Sequence, residues 1–167
     1  MPELPLPPGG RQGVGAVIVL SRIDSRLIHG QVIEAWLPYL NVRRVVVADN
    51  ETAVDDFAKA AMGLAVPSSV EVVTQRIELL DFQALASDAI RTMVLFRDVS
   101  AVVAGRQHGL PDGLINLGNV HAGPGRLAVS RSVFLSLDER EQLADLGRSG
   151  MQIVIQAVPG EKAQGLS

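Results

Sequence analysis

The feature that most constrains this chain is an alternation of short apolar runs with stretches of helical spacing. The runs are Val14–Arg22, Arg43–Ala48, Val70–Thr74, Thr92–Phe96, Leu114–Leu117, Leu127–Val129 and Gln152–Ala157. Several are apolar throughout and rich in β-branched residues, as strands covered on both faces are. Only 4% of the chain is aromatic, so Val, Leu, Ile and Ala must supply the core. The alternation predicts an α/β fold: an open, mainly parallel, doubly wound sheet with helices on both faces.

The intervening stretches carry helical signals of unequal strength. In Thr52–Val66 the residues Val54, Phe57, Ala58, Ala61 and Leu64 follow a helical stripe, which predicts one helix with that stripe in the core. Asn50 or Thr52 is its expected cap, and Asp55 and Lys59 stand four apart. Ile33, Trp36, Leu37 and Leu40 form a second stripe, which Pro38 should shorten or kink. Trp36 is expected to pack in the core. Leu79–Ala89 and Ser100–Gln107 are further helix candidates. Ser136 and Glu139 have the spacing of a capping box, and Gly150 offers a turn into the last strand. Residues 1–13 hold four prolines and three glycines and predict a flexible lead-in. A single domain is expected over 14–159, and a frayed tail over 160–167.

Composition removes several classes of function. The chain has no Cys, which excludes thiolate metal sites, iron–sulfur clusters and a cysteine nucleophile. A formal net charge of −3 gives no bulk attraction to nucleic acid. Val14–Leu20 is too short to span a bilayer. Three scattered His residues lack metal-ligand spacing, so neither a metal nor an organic cofactor is expected. His108 reads as a helix C-terminal residue. His121 lies in the glycine-rich run Gly118–Gly125, which matches no phosphate-loop or dinucleotide fingerprint and reads first as a connection.

In doubly wound sheets ligands bind beyond the carboxyl ends of the strands. The loop after the first strand reads Arg22-Ile-Asp-Ser-Arg-Leu-Ile-His-Gly-Gln31. His29 is an imidazole nucleophile available near neutral pH. Arg22 and Arg26 offer planar forks of donors suited to a phosphoryl group. Asp24 can hold one imidazole nitrogen and fix the tautomer. Gly30 and Gln31 open the following helix, whose free backbone N–H groups favour an anion. The set suits transient phosphorylation of a histidine better than hydrolysis. The same residue types also occur as solvated charges, in the case of Arg22 and Arg26, or as a turn residue or cap, in the case of Asp24.

The block from Arg22 to Val32, followed by Trp36 and Tyr39-Leu40, resembles the IIB component of the mannose/fructose/sorbose class of the sugar phosphotransferase system. The likeness runs on through Val45–Asp49, Phe57–Pro67, Met93–Arg97, Ile115–Asn119 and Ser136–Glu141. It implies a cytoplasmic phosphocarrier, peripherally associated with a membrane transporter. By that resemblance His29 accepts a phosphoryl group from a phosphohistidine on a IIA domain. It then passes the group to a sugar arriving through membrane IIC and IID components. Asp24 and Arg26 fall on the family's aspartate and arginine, and Arg22 on its earlier arginine. Ser25 stands where the family often has a second acid. A homo-oligomer is compatible with the resemblance. The other reading is a regulatory module that is phosphorylated on His29, signals to a protein partner and moves no sugar.

Overall fold

The computed structural model describes residues 17–166, so the 1–13 lead-in lies outside the described residues. Five parallel strands begin the fold: β1 (Val17–Asp24), β2 (Arg44–Ala48), β3 (Glu71–Gln75), β4 (Arg91–Phe96) and β5 (Leu114–Asn119). Two short strands, β6 (Leu127–Ala128) and β7 (Phe134–Leu135), pair antiparallel as a separate ribbon. The sixth parallel strand is β8 (Gln152–Ile155), and β9 (Gln164–Gly165) returns antiparallel beside it. The main sheet has seven strands in the order β3-β2-β4-β1-β5-β8-β9. It is the open, mainly parallel sheet the alternation predicts.

Helices cover both faces. On one side lie α4 (Phe82–Ser87), α5 (Val99–Gln107) and α6 (Leu137–Arg148), which bury Phe82, Val99, Val102, Leu143 and Leu146 against Ile23, Val94 and Ile115. On the other, Trp36, Leu37, Met62 and Val66 pack on Leu20, Val45, Val47 and Met93. The helix that supplies Trp36 and Leu37 runs over residues 30–39. It is π-wound over Val32–Trp36 and α-helical over Leu37–Tyr39, here α1. Pro38 has no N–H to return to the carbonyl four residues back. The wider turn, closed by the Leu37 N–H on the Val32 carbonyl, absorbs that break.

Three expectations are corrected. Thr52–Val66 is two helices, α2 (Asn50–Ala53) and α3 (Asp56–Ala65), because two aspartates each start one. Asp49, rather than Asn50 or Thr52, caps α2 through the Thr52 N–H, and Asp55 caps α3 through the Ala58 N–H, both at 3.0 Å. The break resets the helical phase, so α3 faces the sheet with Met62, while Val54, Phe57 and Leu64 point to solvent. Leu127–Val129 contributes to the side ribbon and not to the main sheet. The tail does not fray over residues 164–165, which pair with Val154 and Ile155. The capping box on α6 is present, with Ser136 and Glu139 each bonding the other's backbone N–H. Gly150, at φ +105°, takes the left-handed conformation that turns the chain into β8.

Candidate functional site

β1 runs two residues further than the apolar pattern indicates and ends at Asp24. Leu20, Arg22 and Asp24 therefore share one face of the strand. The chain then turns sharply, with the Leu27 N–H donating to the Asp24 carbonyl (3.0 Å). Leu27 has φ +56°, a left-handed conformation that costs a non-glycine residue about 1 kcal/mol. Its side chain is buried, and that burial holds the turn in place. His29 follows, and its carbonyl accepts the bond from the Ile33 N–H (3.1 Å) that opens the 30–39 helix. The N–H groups ahead of Ile33, including those of Gly30 and Gln31, thus have no partner within the helix.

Asp24 is the hub. Its Oδ2 accepts from His29 Nε2 at 2.7 Å and from Arg22 Nη2 and Nε at 3.0 and 3.2 Å. Its Oδ1 accepts from the Arg26 backbone N–H at 3.0 Å. The Asp24 side chain is wholly buried, whereas that of His29 keeps 14% of its surface exposed. Burial pushes the Asp24 carboxyl up. The His29 hydrogen bond, the Arg22 charge and the Arg26 N–H outweigh it and hold the group below the usual carboxylate range. The aspartate is therefore ionised at neutral pH, and His29 presents Nε2 to it. The other ring nitrogen, Nδ1, is the one that Asp24 leaves free.

Arg26 lies at the open side of this loop, with a half-exposed guanidinium 3.8 Å from Asp24 Oδ1 and 3.3 Å from Gln31 Oε1. Arg22 does not join it, which corrects the expectation of a phosphate contact. Arg22 is fully buried beneath Asp24. Its Nη1 donates to Asn116 Oδ1 (2.6 Å) and to the Gln156 carbonyl (3.2 Å), and its guanidinium lies 5.3 Å from the centre of the Trp36 ring. Four of its five N–H donors are taken by the protein and its side chain is wholly buried, so it steadies Asp24 from beneath and does not face the open side of the loop where Arg26 lies. Gly118 makes the space: a Cβ there would stand 1.9 Å from Arg22 Cζ. The Trp36 indole N–H donates to the Ala157 carbonyl (3.0 Å), joining the helix after the loop to the chain end of β8.

Asn116, Gly118, Gln156 and Asn119 were not among the residues the sequence singled out. The Asn119 carbonyl accepts the Ser25 N–H at 2.9 Å. His121 is nearer the site than a plain connection would be, since its backbone N–H donates to Ser25 Oγ at 3.2 Å. Arg126 holds that loop by donating to the His121 carbonyl and forking onto Glu139. The signal for Asn116 was its place in β5, where it registers opposite Arg22. His108 caps the carboxyl end of α5, as read, and takes no part. Among the described residues no group of three or more His, Asp or Glu could hold a metal ion.

The constellation combines a buried anion, an imidazole held by one nitrogen, an accessible arginine and a helix start. That can accept and release a phosphoryl group on the free nitrogen. Comparison with known proteins points to the same class. The family model for the sorbose-subfamily IIB component of the phosphotransferase system matches residues 18–167. The N-acetylgalactosamine-specific phosphotransferase enzyme IIB component 2 of Escherichia coli is 29% identical over 147 residues, 87% of this chain and 94% of that protein. The crystal structure of manxB from Thermoanaerobacter tengcongensis is similar at a TM-score of 0.81 and 30% identity, covering 89% of this chain and 92% of that one. That of the N-acetylgalactosamine-specific IIB component 1 from Escherichia coli gives 0.84 and 26%, covering 90% and 100%. With most of its length matched, this chain belongs to the sorbose subfamily of phosphotransferase-system IIB components.

Proposed function

We propose that the protein is a phosphocarrier in which His29 Nδ1 takes a phosphoryl group from a phosphohistidine on a IIA domain and yields it to an imported sugar. The observation that carries this reading is the 2.7 Å bond between His29 Nε2 and Asp24 Oδ2. It keeps the Nε2 proton on the ring and leaves the Nδ1 lone pair free. In the first transfer that lone pair attacks phosphorus, the donor P–N bond breaks, and the donor imidazole leaves with the electron pair. In the second, a sugar hydroxyl oxygen attacks phosphorus, the His29 N–P bond breaks, and the hydroxyl proton passes to base. Such transfers rest on in-line positioning and charge stabilisation. Asp24 balances the positive charge that the ring gains, and Arg26 can bind two phosphoryl oxygens at once. The N–H groups of Gly30 and Gln31 add donors at the helix start.

Family membership implies IIA, IIC and IID partners in general terms. Among the described residues no helix is long and apolar enough to cross a membrane. The test is incubation with the general phosphotransferase proteins, a IIA partner and phosphoenolpyruvate, followed by mass analysis. One phosphoryl group should appear on His29, labile to acid and stable to alkali. His29→Ala should remove it while leaving the fold intact. Label that persists in that variant, or maps to Ser25, contradicts the assignment.

A further inference from the structure

Helix α3 exposes what it should bury. Phe57 is 83% exposed, Leu64 87% and Val54, just before the helix, 70%. Ala60 and Ala61 between them are exposed as well. This stripe is continuous along one helix face, and contiguous exposed apolar surface of that kind marks an interaction site. Its border is acidic: Glu51, Asp55 and Asp56 are exposed at the Val54–Phe57 end, and Lys59 is the one basic residue on α2 or α3. The face also stands apart from His29. In the sheet, β2 and β4 lie between the β3 edge, which α3 covers, and β1. A partner seated on α3 can leave the His29 loop open.

Building on the phosphocarrier reading, we propose that the α3 face is the docking surface for the cytoplasmic side of the integral-membrane component, an apolar contact ringed by Lys and Arg. Three arguments favour this occupant. Cytoplasmic loops of membrane proteins carry an excess of Lys and Arg, which complements the acidic border. A second copy of this chain fits worse: an antiparallel α3 pair would set Asp55 and Asp56 against the negative carboxyl end of the other helix. The IIA domain must be released after each transfer, and an apolar stripe suits a lasting attachment better than a brief encounter. The component is thereby tethered where its loop can be loaded by one partner and emptied by the other.

The test compares the full chain with a Phe57→Ser, Leu64→Ser double variant. Inverted vesicles carrying the IIC and IID components of the source organism are the probe. Both side chains are solvent-facing, so the variant should fold normally. Co-sedimentation with the vesicles and sugar phosphorylation should fall at least tenfold, while labelling of His29 by the IIA partner keeps its wild-type rate. Glu51→Lys combined with Asp56→Lys should weaken vesicle binding likewise. Unchanged co-sedimentation overturns the proposal, as does a wild-type dimer that the double variant dissolves. Equal loss of IIA-dependent labelling would assign the face to IIA and also overturn it. If the wild type takes no label at all, the phosphocarrier reading fails, and co-sedimentation still decides the docking face.

Discussion

Two regions of this molecule invert the ordinary rule that charge stays outside and apolar surface inside. At the end of β1, Arg22 and Asp24 lie at 0% exposure. On α3, Phe57 and Leu64 stand almost wholly in water. The first inversion is stable because every charge is met. Arg22 donates to Asp24, Asn116 and the Gln156 carbonyl, and Asp24 accepts from His29, Arg22 and Arg26. A buried pair with its donors and acceptors satisfied costs little more than an apolar isostere, but breaking it is expensive. The second inversion has no internal compensation. The difference teaches that the buried charges are needed by the protein itself, whereas the exposed apolar stripe serves something outside it.

That contrast can be broken at either end. Arg22→Met should have the largest effect. It strands a buried carboxylate and should cost about 3–5 kcal/mol, read from urea unfolding. A loss below about 1 kcal/mol would mean that the pair is not structural. Gly118→Ala comes next. Its methyl must displace the Arg22 guanidinium, and overpacking of this kind costs about 1–3 kcal/mol. The same substitution should slow phosphoryl transfer through His29, because it reaches Asp24 by way of Arg22. Gly147→Ala, in α6 and away from the His29 loop, is the control, since a Cβ there meets nothing within 4 Å.

The third effect depends on pH. Asp24 is held below its unfolded value, so its contribution to stability is complete above the ordinary carboxylate range, near pH 4. That contribution is lost as the pH falls towards the folded value. Unfolding free energy should therefore drop on acidification below about pH 4, and Asp24→Asn should flatten that limb. An equally steep limb in the variant would place the acid sensitivity elsewhere, Asp49 with its Arg97 partner being the next candidate. The smallest effect belongs to α3. Phe57→Ser and Leu64→Ser should each shift stability by no more than about 0.5 kcal/mol in the isolated chain. A loss of 2 kcal/mol at either site would show that the stripe is packed in solution.

The alternation of strand and helix made the sheet legible, and the Arg–Asp–Arg–His block made the loop legible. What escaped has physical causes. The apolar pattern ends at Arg22, yet β1 continues to Asp24 because Arg22 is buried among hydrogen bonds that a hydropathy pattern does not register. With the strand end set two residues early, Arg22 reads as a loop residue facing a ligand. The α3 stripe has the spacing of a core face, and spacing alone does not say which way it turns. The Asp55 cap decides that, by restarting the helix six residues after Asp49. The β9 strand is two residues long and leaves no periodic trace.

The central claim is that Asp24 holds Nε2 so that Nδ1 carries the phosphoryl group. The direct measurement is nuclear magnetic resonance of the 15N-labelled chain after phosphorylation through its IIA partner. Phosphorus–nitrogen coupling should connect the phosphoryl group to Nδ1 of His29, with the Nε2 proton retained and hydrogen-bonded. Coupling to Nε2, or to any residue other than His29, would contradict the account.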